Sequence, residues 1–310
     1  MPRPPAGTNP QRANRRCRSD ILSSADERAS RQIRMFGCVV SDGPEPDQLG
    51  STIRTRSVRK WFYPAAMTEA ERTASQHKIK ARGHDPVPTV IERGPKGKRS
   101  VAFSIDWPGW SRGAKSAELA LETLESYRGR YRPVAVLAGM ARKFDAVGPL
   151  EIVEDRVGTG STDFWGISFS PSATEQGPMG EAELERGITL LRACWAFFDG
   201  VAARVSPQMR KGPRGGGRDR EQIIHHTIRT ESEDFARQVG LRIPDGAAYT
   251  PDGLRQYREA YVAAMRAYNA GELKRMRSWT LPFLIRHSAF HTLDHAWEME
   301  DKDLSAQDRA

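Results

Sequence analysis

The chain has 310 residues, 38% hydrophobic and 28% charged, which is enough for two ordinary domains with apolar cores. No stretch approaches the ~18 apolar residues of a membrane span, and the Arg- and Pro-rich start lacks the apolar run of a secretory signal. The net charge of +9 is concentrated at the start, where residues 1–35 hold eight arginines and three acidic residues. The remainder is only mildly basic, so specific nucleic-acid binding by the folded part is not expected. Cys17, Cys38 and Cys194 are widely spaced and odd in number, which excludes a disulfide framework and points to a reducing, cytoplasmic setting.

Residues 1–50 are rich in Pro, Arg, Ser and Asp without apolar periodicity and are expected to be disordered. Residues 51–157 are expected to form a small α/β domain, with a short helix over 67–80. Segments 87–92 and 100–106 alternate as strands do, and Gly94-Pro-Lys-Gly97 between them is a hairpin turn signal. Residues 107–113 follow as a loop. Ser116 then caps a helix to about residue 131, with Leu119, Leu121, Leu124 and Tyr127 as its expected buried positions. A further strand is expected over 150–157. Residues 158–179 are expected as a linker: the glycines of Gly158-Thr-Gly-Ser-Thr-Asp-Phe-Trp-Gly166 resemble a phosphate loop, but no Gly-Lys-Ser/Thr ending follows.

From 180 to 304 the pattern is helical. Leu184, Ile188, Leu191, Trp195, Phe198, Ala202 and Val205 form one apolar stripe, stopped by Ser206-Pro207. Asp219 and Gln222 form a capping box for a second helix that ends near Gly240. Thr250-Pro251 opens a third helix that ends near Gly271, and residues 282–300 make the fourth. The expected fold class is therefore α+β: a C-terminal four-helix bundle preceded by a small α/β domain and a disordered tail.

Five of the seven histidines fall in two short segments, 225–226 and 287–295. His291 and His295 are four apart, so on a helix they stand on one face and can reach a common point. His287 permits a different pair with His291. The third ligand must come from a facing helix, where His225 and His226 point about 100° apart and only one can face inward. Neutral imidazoles suit zinc, nickel, iron or copper rather than magnesium or calcium. Glu298 lies on the same face as His295 and is a candidate base or hydrogen-bond acceptor, or else a solvated member of the acidic run with Glu300 and Asp301. Cys194 sits within the apolar stripe and is expected to be a core residue rather than a nucleophile.

Ile223-Ile-His-His226 with Glu231 five residues on, together with His291-x-x-x-His295, resembles the DinB superfamily over about 180–304. The resemblance implies a helical bundle with a three-histidine metal site, here His226, His291 and His295, with His226 preferred over His225 by its spacing to Glu231. It also implies thiol-dependent transfer or metal-dependent hydrolysis on a small-molecule substrate. Zinc is the first expectation, with nickel or iron as alternatives and a low-molecular-weight thiol as a second cofactor. Phe103-Ser-Ile-Asp-Trp-Pro-Gly109 and the following helix, within 87–135, resemble the HicB-type antitoxin domain. The rival expectation is thus a non-enzymatic regulator, a HicB-like module fused to a helical bundle. Neither membrane nor specific nucleic acid is an expected partner, and a homodimer is left open.

Overall fold

A computed structural model describes residues 85–212, 216–273 and 279–305, all within one contact unit of the chain. The tail expected over 1–50 and the helix expected over 67–80 lie outside the described residues. The architecture is mixed α+β, with a four-stranded sheet and eight α-helices among the described residues.

Strands β1 (Val87–Arg93) and β2 (Ser100–Ser104) pair antiparallel through the expected hairpin, where Gly97 takes a φ of 63°. β3 (Ser111–Ala114) adds antiparallel to β2, and β4 (Leu150–Val157) lies parallel to β1, giving the order β3-β2-β1-β4. The loop expected over 107–113 is therefore only partly a loop. Its second half pairs with β2, because Trp107 and Trp110 are drawn inward and bring the chain back along the sheet.

The helix expected over 116–131 is two helices, α1 (Ala117–Ser126) and α2 (Arg128–Leu137), divided at Tyr127. Ser116 caps α1 by accepting from the Leu119 N–H at 3.2 Å. Its phase differs from expectation. Ala117, Ala120 and Leu124 are buried, whereas Leu119 is 47% exposed and Leu121 and Tyr127 are half-buried. Two alanines let the helix approach the sheet closely, and that contact outweighs the transfer of one leucine. Helix α3 (Ala141–Asp145) closes the layer with Phe144, which meets Trp107 edge-on at 4.8 Å between ring centroids. Trp110 Nε1 donates to the Leu124 carbonyl at 2.7 Å, and the Tyr131 hydroxyl donates to the Pro108 carbonyl at 2.9 Å. Trp110 and Tyr131 thus each have their buried polar atom satisfied.

Residues 158–179, expected as a linker, are packed structure. Helix α4 (Gly160–Trp165) starts on a Thr159 cap, and the Asp163 carboxylate accepts from the Lys96 and Lys98 N–H groups of the hairpin at 2.7 and 2.8 Å. The hydroxyls of Thr162 and Ser168 donate to the fully buried Glu92 at 2.6 and 2.8 Å. A buried carboxylate must be hydrogen-bonded, and this segment supplies the donors.

Helix α5 (Glu181–Arg204) buries Leu184, Ile188, Leu191, Trp195 and Phe198 as expected; Val201 continues the stripe, while Ala202 is half-buried. Helix α6 (Arg220–Thr230) opens on the expected Asp219–Gln222 capping box. It then widens into a π-turn over Glu231–Phe235, tightens into a 3-10 turn over Ala236–Val239 and stops at Gly240, φ 76°. Helix α7 (Pro251–Asn269) is capped by Thr250, and helix α8 (Leu281–Lys302) is buried over most of its length. Long side chains tie these elements together: Arg192 to Glu259 and Arg266 to Glu185 join α5 to α7, and the Tyr261 and Ser288 hydroxyls lie 3.0 Å apart between α7 and α8.

The sheet layer meets α8 at Gly109, whose φ is 93°. A Cβ there would lie 2.7 Å from Leu293 Cδ1 and 3.2 Å from the Ala289 backbone. Gly109→Ala is therefore both strained and overpacked, and should lower unfolding stability by about 1–3 kcal/mol. Gly129→Ala, in open space in the first turn of α2, should be neutral or stabilising. Urea unfolding of both variants checks the pair, and equal midpoints would contradict the stated role of Gly109.

Candidate metal centre

Helix α8 carries His291, His295, Glu298 and Lys302 at steps of four, three and four, which places them on one stripe. Trp297 stands well round the helix from that stripe, and Asp294, three residues after His291 and four before Glu298, lies on the flank between. There the Arg112 guanidinium pairs with Asp294 at 2.7 Å and lies 3.9 Å from the Tyr127 ring centroid and 4.3 Å from that of Trp297. The sheet layer thus holds the flank of α8 beside its histidine stripe.

His226 meets that stripe. One ligand atom from each of His226, His291 and His295 lies within 4.8 Å of the others, and the three residues are 7, 4 and 1% exposed. The rings stand at steep angles to one another, 89° between His226 and His295 and 87° between His291 and His295. His225 turns outward and stacks on Tyr249 with 4.0 Å between centroids. His287, one turn before His291, is not in the cluster. It is enclosed by Phe169, Phe235, Trp279 and Phe283 and behaves as a core histidine.

His295 Nδ1 donates to Glu298 Oε2 at 2.7 Å, and Lys302 Nζ donates to Glu298 Oε1 at 2.6 Å. That bond fixes the ring orientation and leaves Nε2 for a ligand, the arrangement by which a carboxylate orients a metal-binding imidazole. Burial opposes ionisation of Glu298, but His295 and Lys302 outweigh it and hold the carboxyl down at about 2. A carboxylate this acidic, with both oxygens engaged, accepts a proton poorly at neutral pH. Its geometry is that of an acceptor that positions His295.

Burial, and then the neighbouring His295, lowers His226 to about 3, and burial with His295 and His226 pushes His291 well below the usual imidazole range. Both are neutral donors at physiological pH. Neither ring nitrogen of the buried His291 has a hydrogen-bond partner. Leaving such groups unpaired is costly, and a cation at the convergence point satisfies a ring nitrogen that no protein group serves. Three buried, neutral nitrogen donors can hold a metal ion, and their chemistry fits a divalent transition metal.

Three neighbours of the centre are not apparent from histidine spacing. Arg218 and Arg229 both bear on His226 electrostatically, and the Phe235 ring lies 5.4 Å from that of His291. Arg229 follows His226 by three residues, and this spacing was the available signal. Glu231 does not join the centre. It is buried, accepts from Trp195 Nε1 at 2.7 Å, and burial raises its carboxyl to about 7. Cys194 is buried as expected, and burial pushes its thiol up, which makes it inert.

Comparison of the chain with protein-family models, curated proteins and solved structures finds no match. No helix among the described residues is long and apolar enough to cross a membrane.

In the metal-free chain these histidines make stability depend on pH. The folded state keeps His226 and His287 neutral down to about pH 3, while an unfolded imidazole protonates near ~6.5. Their contribution is complete above about 6.5 and is lost as the pH falls toward 3, at about 1.4 kcal/mol per pH unit for each histidine. Glu298 adds to the loss only below about 4.3, its unfolded value. Urea unfolding at a series of pH values reads the slope, and a flat profile between pH 6.5 and 4.5 would count against the burial described.

Proposed function

We propose that this chain is a DinB-like metalloprotein whose helices α5 to α8 form a four-helix bundle around a zinc centre held by His226, His291 and His295. The observation that carries the reading is the convergence of three buried histidines, one of them with both ring nitrogens unpartnered. Nickel and iron suit the same donors. The proposed activity is transfer or hydrolysis on a small molecule, with a low-molecular-weight thiol or water as nucleophile. A bound divalent ion supplies Lewis acidity, which eases ionisation of a water or thiol and polarises a carbonyl.

The chain's own residues supply the rest. Glu298 holds the His295 ring so that Nε2 faces the centre, and Lys302 keeps that carboxylate ionised. Glu298 is thus a positioning residue rather than the reacting base. Three neutral ligands leave open positions for substrate, as in reactive rather than purely structural sites. The residues between 87 and 135 are read as a HicB-like layer that braces α8 along its flank. A second reading, a non-enzymatic regulator with a structural centre, is favoured by one observation: the ligands are at most 7% exposed.

Metal analysis of the purified chain tests the proposal. The wild type should hold about one equivalent, and the His291→Ala/His295→Ala double variant none. His287→Ala should keep its metal despite a loss of packing. Glu298→Gln should weaken affinity by about 10–100-fold, as expected when the partner of a metal-binding histidine is altered. Equal metal content in the wild type and the double variant would falsify the assignment.

A further inference from the structure

Resting on the metal reading above, we infer that the small molecule processed at this centre is an anion, and that Arg229 receives its carboxylate or phosphate group. Arg229 lies one turn beyond His226 on α6, so both side chains leave neighbouring positions of the same helix. It is half-buried, yet it makes no ion pair and no side-chain hydrogen bond among the described residues. That is unusual in this molecule. Arg112, Arg156, Arg258 and Arg286, which are similarly or more deeply placed, each sit against a carboxylate. A guanidinium that gives up part of its hydration without a partner pays for it unless a ligand supplies the acceptor.

The surroundings point the same way. The charge of Arg229 is felt at both His226 and Tyr249, and that of Arg218 at both His226 and His291. The acid whose charge reaches His226 is Glu298, and Lys302 already neutralises it. Three neutral histidines cancel none of a divalent cation's charge, so a loaded centre is itself positive, although at the Tyr249 flank Glu233 and Asp245 act against Arg229. A site of this kind draws anions and repels cations. The planar guanidinium fork matches the paired oxygens of a carboxylate or phosphate, which separates this recognition from simple attraction to a positive field.

The test uses the full chain loaded with cobalt(II) and checked for metal content. It is titrated at fixed ionic strength with sodium succinate and, separately, with inorganic phosphate. Calorimetry and the visible cobalt bands report binding. One of the two anions should bind saturably with one site per chain, and the stronger arm identifies the oxyanion class. Arg229→Gln should weaken that binding at least about tenfold, the loss expected for a charged hydrogen-bond donor, with metal stoichiometry unchanged. Arg229→Lys should fall between, because it keeps the charge and loses the fork. A chain that takes up no metal overturns the metal reading and this inference together. A loaded chain that binds neither anion, or that binds one equally well after Arg229→Gln, overturns this inference alone.

Discussion

The rotation of α8 about its own axis decides whether the three histidines converge, and that rotation is held from the flank. Arg112, on β3, pairs with Asp294 and sits against the rings of Tyr127 and Trp297. Arg130 adds ion pairs to Glu300 and Asp301 near the helix end, and Gly109 lets the sheet loop touch the helix backbone. Asp294 and Trp297 alternate with His291, His295 and Glu298 along the helix. Asp294 stands between the histidine stripe and Trp297, so holding this flank against the sheet layer fixes the angle at which the stripe is presented. The pair between Arg286 and Glu175, buried on both sides, pins the N-terminal part of α8 in the same way. Such a pair adds little net stability but tolerates only one geometry, and geometry is what a three-ligand site requires.

Much of the helical half could be read from the chain because its signals are local. The Leu184 to Phe198 stripe, the Asp219–Gln222 box and the Thr250-Pro251 start each depend on residues within one or two turns. The histidine pair could be read for the same reason. The resemblance already preferred His226 over His225 by its spacing to Glu231, and the structure agrees, burying the one ring and stacking the other on Tyr249. What escaped depends on distant partners. The phase of α1 is set by how closely Ala117 and Ala120 approach the sheet, and no leucine count contains that distance. Residues 158–179 look like a linker because their content is polar. They are structured because Glu92, far earlier in the chain, is buried and needs donors.

The unusual winding of α6 has a related logic. On a continuous α-helix Glu231 and Phe235, five and nine residues on, would stand about 140° and 180° round the axis from His226. The π-turn over Glu231–Phe235 interrupts that winding directly after the ligand-bearing segment. With this path, Glu231 reaches Trp195 on α5 while Phe235 packs beside His287 and His291. A carboxylate is thereby committed to a tryptophan N–H, and an apolar ring lies beside the ligands.

That division has a chemical consequence. A second carboxylate near the three histidines would compete for the cation as a ligand and would cancel much of its charge. Asp294, next to His295, is paired with Arg112, Glu231 is committed to Trp195 and Glu298 is engaged by both His295 and Lys302, so each of these acids is already occupied. The histidine donors are neutral nitrogens. Packing that looks purely structural, the Trp195–Glu231 hydrogen bond and an i, i+4 ion pair at a helix end, therefore bears on the electrostatic character of the candidate centre.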